Sequence, residues 1–377
     1  MIKILLITHY YPSHKGGVEI AAHKTALNIL SSELNEVDWM AMGGDELPEK
    51  TRNLNFIPIR MYNFIEKFLP FPYPIPTINS IGKILKEVKK HELIHIHEFL
   101  YLSNILAFLF AKKYGKKIII TQHIGMIPYK NPLLRMLLSL INKTLGKYIL
   151  QNADKVVFIS NNVKRYFEEF CDNKNFDLQA NSVNVRQFIM YPEVKTNFLN
   201  YELHAQNYTN KMLFVGRFTE KKGIPLILEL AKAFPTILWI FVGWGKIDPL
   251  ESGMPNIKVF KDIEHKKVTD FYNIADYLIL PSYGEGFPLV IQEAFSCGLP
   301  VITTNENAAA HPEATKFLIS LDLDKKDDWI NLIEKINSKT LKYDHSPAEL
   351  RNFAKENWSE EVNGKFYNHL INQLVMD

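Results

Sequence analysis

The sequence predicts an α/β protein made of two doubly wound domains in tandem. Three observations point there. Short apolar runs alternate with stretches of helical spacing from end to end, the pattern of parallel strands joined by crossover helices. The alternation fades between residues 188 and 210 into a mixture of Pro, Asn and Tyr, then restarts at Met212. The length of 377 residues also exceeds the size at which a single hydrophobic core usually stops growing.

Residues 2–8 form an apolar run expected of a strand buried on both faces of a parallel sheet. Residues 19–34 follow a Gly-Gly loop and have helical spacing. Residues 93–97, 117–122 and 155–160 are further short runs, each followed by helix-forming sequence. In the second half the runs fall at 212–215, 236–242, 257–260, 277–280 and 300–303. Residues 358–375 read as a helix after the second sheet is complete. The expected domains are therefore residues 1–195, residues 196–357, and a C-terminal helix at 358–377 that crosses back to the first domain.

Hydrophobic residues make up 47% and charged residues 23%, an ordinary globular balance that argues against long disorder. A net charge of +3 is too small for bulk nucleic-acid binding. Cys171 and Cys297 cannot form a disulfide framework, which fits a reducing cytoplasm. The first residues read as a strand and not as a signal peptide, and no apolar stretch approaches the roughly 20 residues needed to span a bilayer.

Ligands of open α/β sheets bind beyond the carboxyl ends of the strands, so functional motifs should sit there. The densest is Pro281-Ser-Tyr-Gly-Glu285-Gly-Phe287-Pro288-Leu289-Val290-Ile-Gln-Glu293. A buried strand ends at Leu280, a Gly-bearing loop follows, and a helix begins near Pro288, with proline favoured in a first turn. The amides of Leu289 and Val290 then offer an anion site suited to phosphate. Glu285 and Glu293 can hold hydroxyls of two different sugars, although acids near a helix start are also favoured by the dipole alone.

A second motif, Val215-Gly216-Arg217-Phe-Thr-Glu-Lys-Lys222-Gly223, again follows an apolar run. Arginine offers a bidentate fork for phosphate oxygens and lysine a compact charge. A third, Tyr10-Tyr-Pro-Ser-His-Lys-Gly16-Gly17-Val-Glu19, places paired glycines before a helix, where backbone can approach a ligand closely. It is not the Gly-x-Gly-x-x-Gly fingerprint of dinucleotide binding.

Together these motifs resemble the retaining GT-B glycosyltransferases of the family 4 type, in which two Rossmann-like domains face each other across a cleft. The resemblance runs along most of the chain: Gly16-Gly17, Arg217 with Lys222, and Glu285-x7-Glu293. Thr121-Gln-His123 is similar to the family's Thr-x-His strand end, Phe158-Ile-Ser160 to its Val-Ser strand end, and Trp358 with the last helix to its C-terminal segment.

The resemblance implies a sugar moved from a nucleoside diphosphate donor, of UDP or GDP type, to a glycan or lipid-linked acceptor, with retention and without metal or other cofactor. It implies that Arg217 and Lys222 bind the diphosphate as it leaves and that Glu293 holds the ribose. Glu285, with the loop amides after it, would position the transferred sugar, and His123 would contact it from the first domain. Gly16, Gly17, Gly216 and residues 287–290 would complete the donor site. Tyr10, His97 and Glu98 are acceptor-side candidates.

Some positions depart from the family. The Gly-Gly-x-x-Glu loop is replaced by residues 305–313, which keep Glu313 but no glycine. Tyr191-Pro-Glu-Val-Lys replaces Asn-Gly-Val-Asp, and Lys261 stands where a glycine is usual. Asp322-Leu-Asp324 spells a metal motif of another fold, but Lys325 and Lys326 would repel a divalent ion. His95-Ile-His97 places two rings on one strand face with no third ligand evident.

Residues 56–90 are dense in aromatics, prolines and lysines, and residues 126–147 mix Leu and Ile with Lys130, Arg135, Lys143 and Lys147. Such sequence suits peripheral contact between a cytoplasmic protein and an anionic membrane, or an ordinary amphipathic helix. Two other functions stay open at this point: a sugar-nucleotide epimerase of the same fold, and a non-catalytic glycan- or nucleotide-binding relative. The surface-polysaccharide transferase is the leading expectation.

Overall fold

A computed structural model describes residues 1–14, 16–44, 46–64, 73–126, 131–172, 175–191 and 207–376. The chain divides into two compact units, Met1–Ser182 with Glu360–Asp377, and Val183–Ser359. The boundary expected at 195/196 falls at residues outside the described ones.

In the first unit the strands are β1 (Ile2–Ile7), β2 (Asn35–Met42), β3 (Leu54–Ile59), a short antiparallel pair β4 (Met61–Tyr62) and β5 (Ile75–Pro76), β6 (Leu93–His97), β7 (Lys117–Gln122), β8 (Lys155–Phe158) and β9 (Phe176–Leu178). Seven of them form one parallel sheet in the order β3-β2-β1-β6-β7-β8-β9. Side chains alternate across a strand. Leu5 and Ile7 therefore join a core with Ala107 and Phe108 of the helix Leu102–Lys113. Ile4 and Leu6 join an opposite core with Ala22 and Ala26 of the helix Gly17–Ile29 and with Tyr367, Leu370 and Ile371 of the last helix, Glu360–Met376.

The second unit holds β10 (Asn210–Phe218), β11 (Ile237–Gly245), β12 (Ile257–Phe260), β13 (Tyr277–Leu280), β14 (Val301–Thr304) and β15 (Leu318–Leu321). They form a parallel sheet in the order β12-β11-β10-β13-β14-β15. In each sheet the strand order reverses beside the first strand, at β1/β6 and β10/β13. A topological switch of this kind opens a crevice at the carboxyl ends, where loops diverge to opposite faces.

The fold is α/β as the sequence predicts, with differences in detail. β2, β3, β9 and β15 lie outside the apolar runs, because polar residues interleave them; β2 reads Asn-Glu-Val-Asp-Trp-Met-Ala-Met. The first helix ends at Ile29, short of residue 34. The C-terminal helix starts at Glu360, two residues later than read, in the first unit; Trp358 instead closes the helix Pro347–Trp358 in the second.

Candidate active site

In the second unit the site is assembled from the loops after β10 and β13. β10 ends on Gly216, Arg217 and Phe218, and Arg217 is exposed, in register with Trp244 of β11. A turn of 3-10 helix carries Lys221 and Lys222 to Gly223, which N-caps the helix Ile224–Ala233 with φ +77°. A Cβ at Gly223 would collide with the carbonyl of Pro281, so the two loops approach closely only because residue 223 is glycine. The Tyr283 N–H donates to the Lys221 carbonyl at 3.2 Å, a second tie between them.

This contact delivers the lysines to Glu285. Lys222 Nζ lies 3.1 Å and Lys221 Nζ 3.5 Å from its carboxylate. Burial alone would raise Glu285, but the charges of Lys222 and Lys221 outweigh it and hold the carboxyl below its usual range. The loop is braced from the other side by Glu306, whose Oε1 accepts the Gly284 N–H at 2.8 Å. The helix then runs Leu289–Ser296 with Pro288 as N-cap in extended backbone, one position before the first turn where proline was expected. Leu289 and Val290 are its first residues, so their amides have no carbonyl one turn back to bond. The Phe287 side chain is turned into the unit against His311 and Trp358, at ring separations of 4.3 and 5.3 Å.

Glu293 is almost fully buried one turn into that helix. Its carboxylate accepts from Tyr272 Oη at 2.8 Å and stands 3.0 Å from Nε2 of the exposed His265.

In the first unit the chemistry gathers at the ends of β1, β6 and β7. His9, just past β1, pairs with Glu19 in the first turn of the following helix, Nε2 to Oε1 at 2.8 Å. The Glu19 side chain folds back over Gly16, where any Cβ would collide with it. Burial pushes Glu19 up, but the bond to His9 prevails and lowers it. His97 Nδ1 lies 3.0 Å from His123 Nε2, and His95 Nε2 lies 2.8 Å from Thr121 Oγ1, which in turn meets Tyr367 Oη at 2.9 Å. Burial pushes His95 and His123 down to about 3 and His97 also well below its ordinary value, so all three rings are neutral near pH 7. Glu98 has φ +67° and accepts from Gln122 Nε2 and the Ile124 N–H. Its burial outweighs those bonds and lifts it to about 7.

Two family models match the chain, glycosyltransferase family 4 over residues 15–187 and glycosyl transferases group 1 over residues 201–356. Between them they take in both strand-end clusters except His9 and Tyr367. The chain belongs to the family 4 type of GT-B glycosyltransferases. Relatives agree in kind. An uncharacterized glycosyltransferase of Methanocaldococcus jannaschii is 24% identical over 99% of both chains. The capsular polysaccharide biosynthesis glycosyltransferase CapH of Staphylococcus aureus is 24% identical over 90% of this chain and 92% of its own. An Escherichia coli UDP-Gal:α-D-GlcNAc-diphosphoundecaprenol α-1,3-galactosyltransferase is 24% identical over 69% and 70%. The solved sucrose-phosphate synthase of Thermosynechococcus elongatus shares the fold along the full length of both chains, with a TM-score of 0.77 at 19% identity.

The glycosyltransferase keeps its expected site residues in two groups. Gly16, Gly17, His97, Glu98 and His123 lie in the first unit, where Tyr10 is buried and stacks on His14 at 3.8 Å. Gly216, Arg217, Lys222, Glu285, residues 287–290 and Glu293 lie in the second. Sequence reasoning missed His9, Tyr272, His265 and Glu306. His9 could have been found from its place at the end of β1; the others sit on separate elements and carry no motif. In the departing loop, Thr304 caps a short helix, Asn305–Ala309, that presents Glu306, while Glu313 lies exposed further on. Lys261 forms an ion pair with Asp248, which caps its own turn through the Leu250 N–H. Asp322 Oδ1 accepts the Asp324 N–H at 3.2 Å, the geometry of a turn.

Proposed function

We propose that this glycosyltransferase moves a sugar from a nucleoside diphosphate donor to a lipid-linked glycan, with retention and without metal, at the inner face of the membrane during surface-polysaccharide synthesis. The observation that carries the proposal is the cluster of Lys221, Lys222 and Glu285, with Lys221 four residues after the exposed Arg217 and Glu285 four residues before the helix Leu289–Ser296. Cations and free amides there match the charge that develops on a departing diphosphate, and such groups act most strongly on charge that grows in the transition state.

In this reading Arg217 and Lys222 hold the diphosphate, and the amides of Leu289 and Val290 add the positive end of a helix. Glu293, fixed by Tyr272, takes the ribose hydroxyls. Glu285 and the backbone that follows it orient the transferred sugar. The bond from the anomeric carbon to the phosphate oxygen breaks as the acceptor oxygen bonds on the same face, and the acceptor proton passes to the leaving phosphate. His123, neutral near pH 7, contributes a hydrogen bond from the first unit and no charge. The capsular and undecaprenol-linked relatives support the choice of donor and acceptor class.

The test is a thermal-shift screen of purified protein against UDP, GDP, ADP and their sugar conjugates in chelator, followed by transfer to a lipid-linked acceptor. One nucleotide should raise the melting temperature, and Arg217→Ala should abolish both the rise and the transfer. Full transfer by Arg217→Ala, or transfer that stops in chelator and returns with a divalent ion, would overturn the assignment of charge to these side chains.

A further inference from the structure

The helix Pro132–Ile141 opens shortly after His123 and has no buried residue along its length. Leu133, Met136, Leu137 and Leu140 stand at i, i+3, i+4 and i+7, which puts them on one stripe. They are 70%, 65%, 52% and 59% exposed. Packing does not account for that stripe, since Leu134, Leu138 and Ile141 on the other side are the half-buried ones. Asn131 caps the helix through the N–H groups of Leu133 and Leu134. A π turn, Asn142–Gly146, then joins it to the helix Lys147–Asn152, whose Ile149 and Leu150 are buried. Gly146 packs so closely on Phe99 that a Cβ would have to displace the ring. The outward stripe thus stands on an anchored base.

Charge decides what covers it. From residue 124 to residue 153 the sequence carries Lys130, Arg135, Lys143 and Lys147 and neither Asp nor Glu. Arg135 and Lys143 are exposed, and Tyr148, 50% exposed, adds an amphipathic ring beyond the π turn. An exposed apolar stripe followed one turn on by the exposed Lys143 and then by an aromatic, on a segment with four cations and no acid, complements an anionic lipid surface: the side chains enter the acyl boundary while the cations meet headgroups. Among the described residues no helix is long and apolar enough to cross a membrane, so attachment through this helix is interfacial. We infer that the Leu133–Met136–Leu137–Leu140 face docks the first unit onto an anionic membrane, which rests on the lipid-linked acceptor proposed above only for its purpose.

The experiment is co-sedimentation with vesicles of phosphatidylcholine, with and without phosphatidylglycerol, in the absence of donor and acceptor. The wild type should bind the anionic vesicles, more weakly at high salt. Met136→Ser/Leu137→Ser/Leu140→Ser should lose about tenfold or more in partitioning, as expected when three inserted side chains are removed. These positions are exposed, so an unchanged melting temperature checks that the fold is intact. Equal partitioning of variant and wild type would overturn the inference. So would a dimer in solution that the triple substitution dissolves, which would assign the face to a second copy. Because vesicle binding is read without turnover, its failure leaves the transferase reading standing, and failed transfer with intact vesicle binding strikes only that reading.

Discussion

Lys222 Nζ lies 3.1 Å from Glu285 Oε2, so a side chain assigned to the departing diphosphate is held by one assigned to the sugar. The pair is mutually neutralising. On the proposed assignment, a diphosphate entering the site would compete with Glu285 for the same cation and release Glu285 to meet sugar hydroxyls. Glu285→Gln removes the competitor and the sugar contact together. The expected outcome is a split: nucleoside diphosphate binds severalfold more tightly by calorimetry, while turnover falls about a hundredfold or more. Weaker nucleotide binding in the variant would show that Glu285 helps to hold the donor and does not compete with it.

The same two loops depend on Gly223. Its φ of +77° is costly for an L-residue, and a Cβ there meets the Pro281 carbonyl, which cannot yield without moving the loop that bears Glu285. Gly223→Ala is expected to cost about 2 kcal/mol or more and to lower transfer further than its stability loss accounts for. Urea denaturation and initial rates below the melting range read the two effects separately. A fully stable and active variant would mean that the loops can move apart without harm.

How much of this was legible in the sequence follows from how local each feature is. The parallel strands buried on both faces announced themselves as apolar runs, and Arg217, Lys222 and Glu285 stood in motifs next to those runs. β2 was hidden because its alternation mixes Asn35, Glu36 and Asp38 with its core residues. The partners of Glu293 were illegible for another reason: Tyr272 and His265 lie 21 and 28 residues away, and only packing brings them to the carboxylate. Glu306 braces the loop at Gly284 because residues 305–309 form a helix, which the missing glycines alone did not reveal. Tyr367 is the extreme case, 246 residues from Thr121 and yet bonded to it beneath the histidines.

Those histidines make a prediction in acid. Burial holds His95 and His123 near 3 and His97 well below its ordinary value, whereas in the unfolded chain each titrates near 6.5. Below pH 6.5 the unfolded state therefore takes up protons that the folded state refuses. These rings stabilise the first unit above that pH, and the stabilisation is lost as pH falls toward 3. The ring resonances of the three histidines should not titrate between pH 7.5 and 5 while the protein stays folded. A midpoint near 6 for any of them would mean that water or a counter-charge reaches the cluster.

Glu98 runs the other way. Its carboxyl is raised by burial from 4.5 to about 7, so between those values the folded state holds a proton that the unfolded state has lost. That contribution is fully present below about 4.5 and disappears as pH rises through 7, the opposite slope to the histidines. Glu98→Gln is neutral at every pH and removes the titration, although it exchanges an acceptor for a donor beside the Ile124 N–H or Gln122. At pH 5.5 the wild type should be the more stable by urea midpoint. By pH 8.5 the difference should shrink or reverse, by an amount on the order of a few kcal/mol. The change with pH carries the test, because the lost acceptor shifts both ends equally. A gap that stays constant from pH 5.5 to 8.5 would place the Glu98 carboxyl in its ordinary range and make its bonds to Gln122 and Ile124 those of a simple carboxylate.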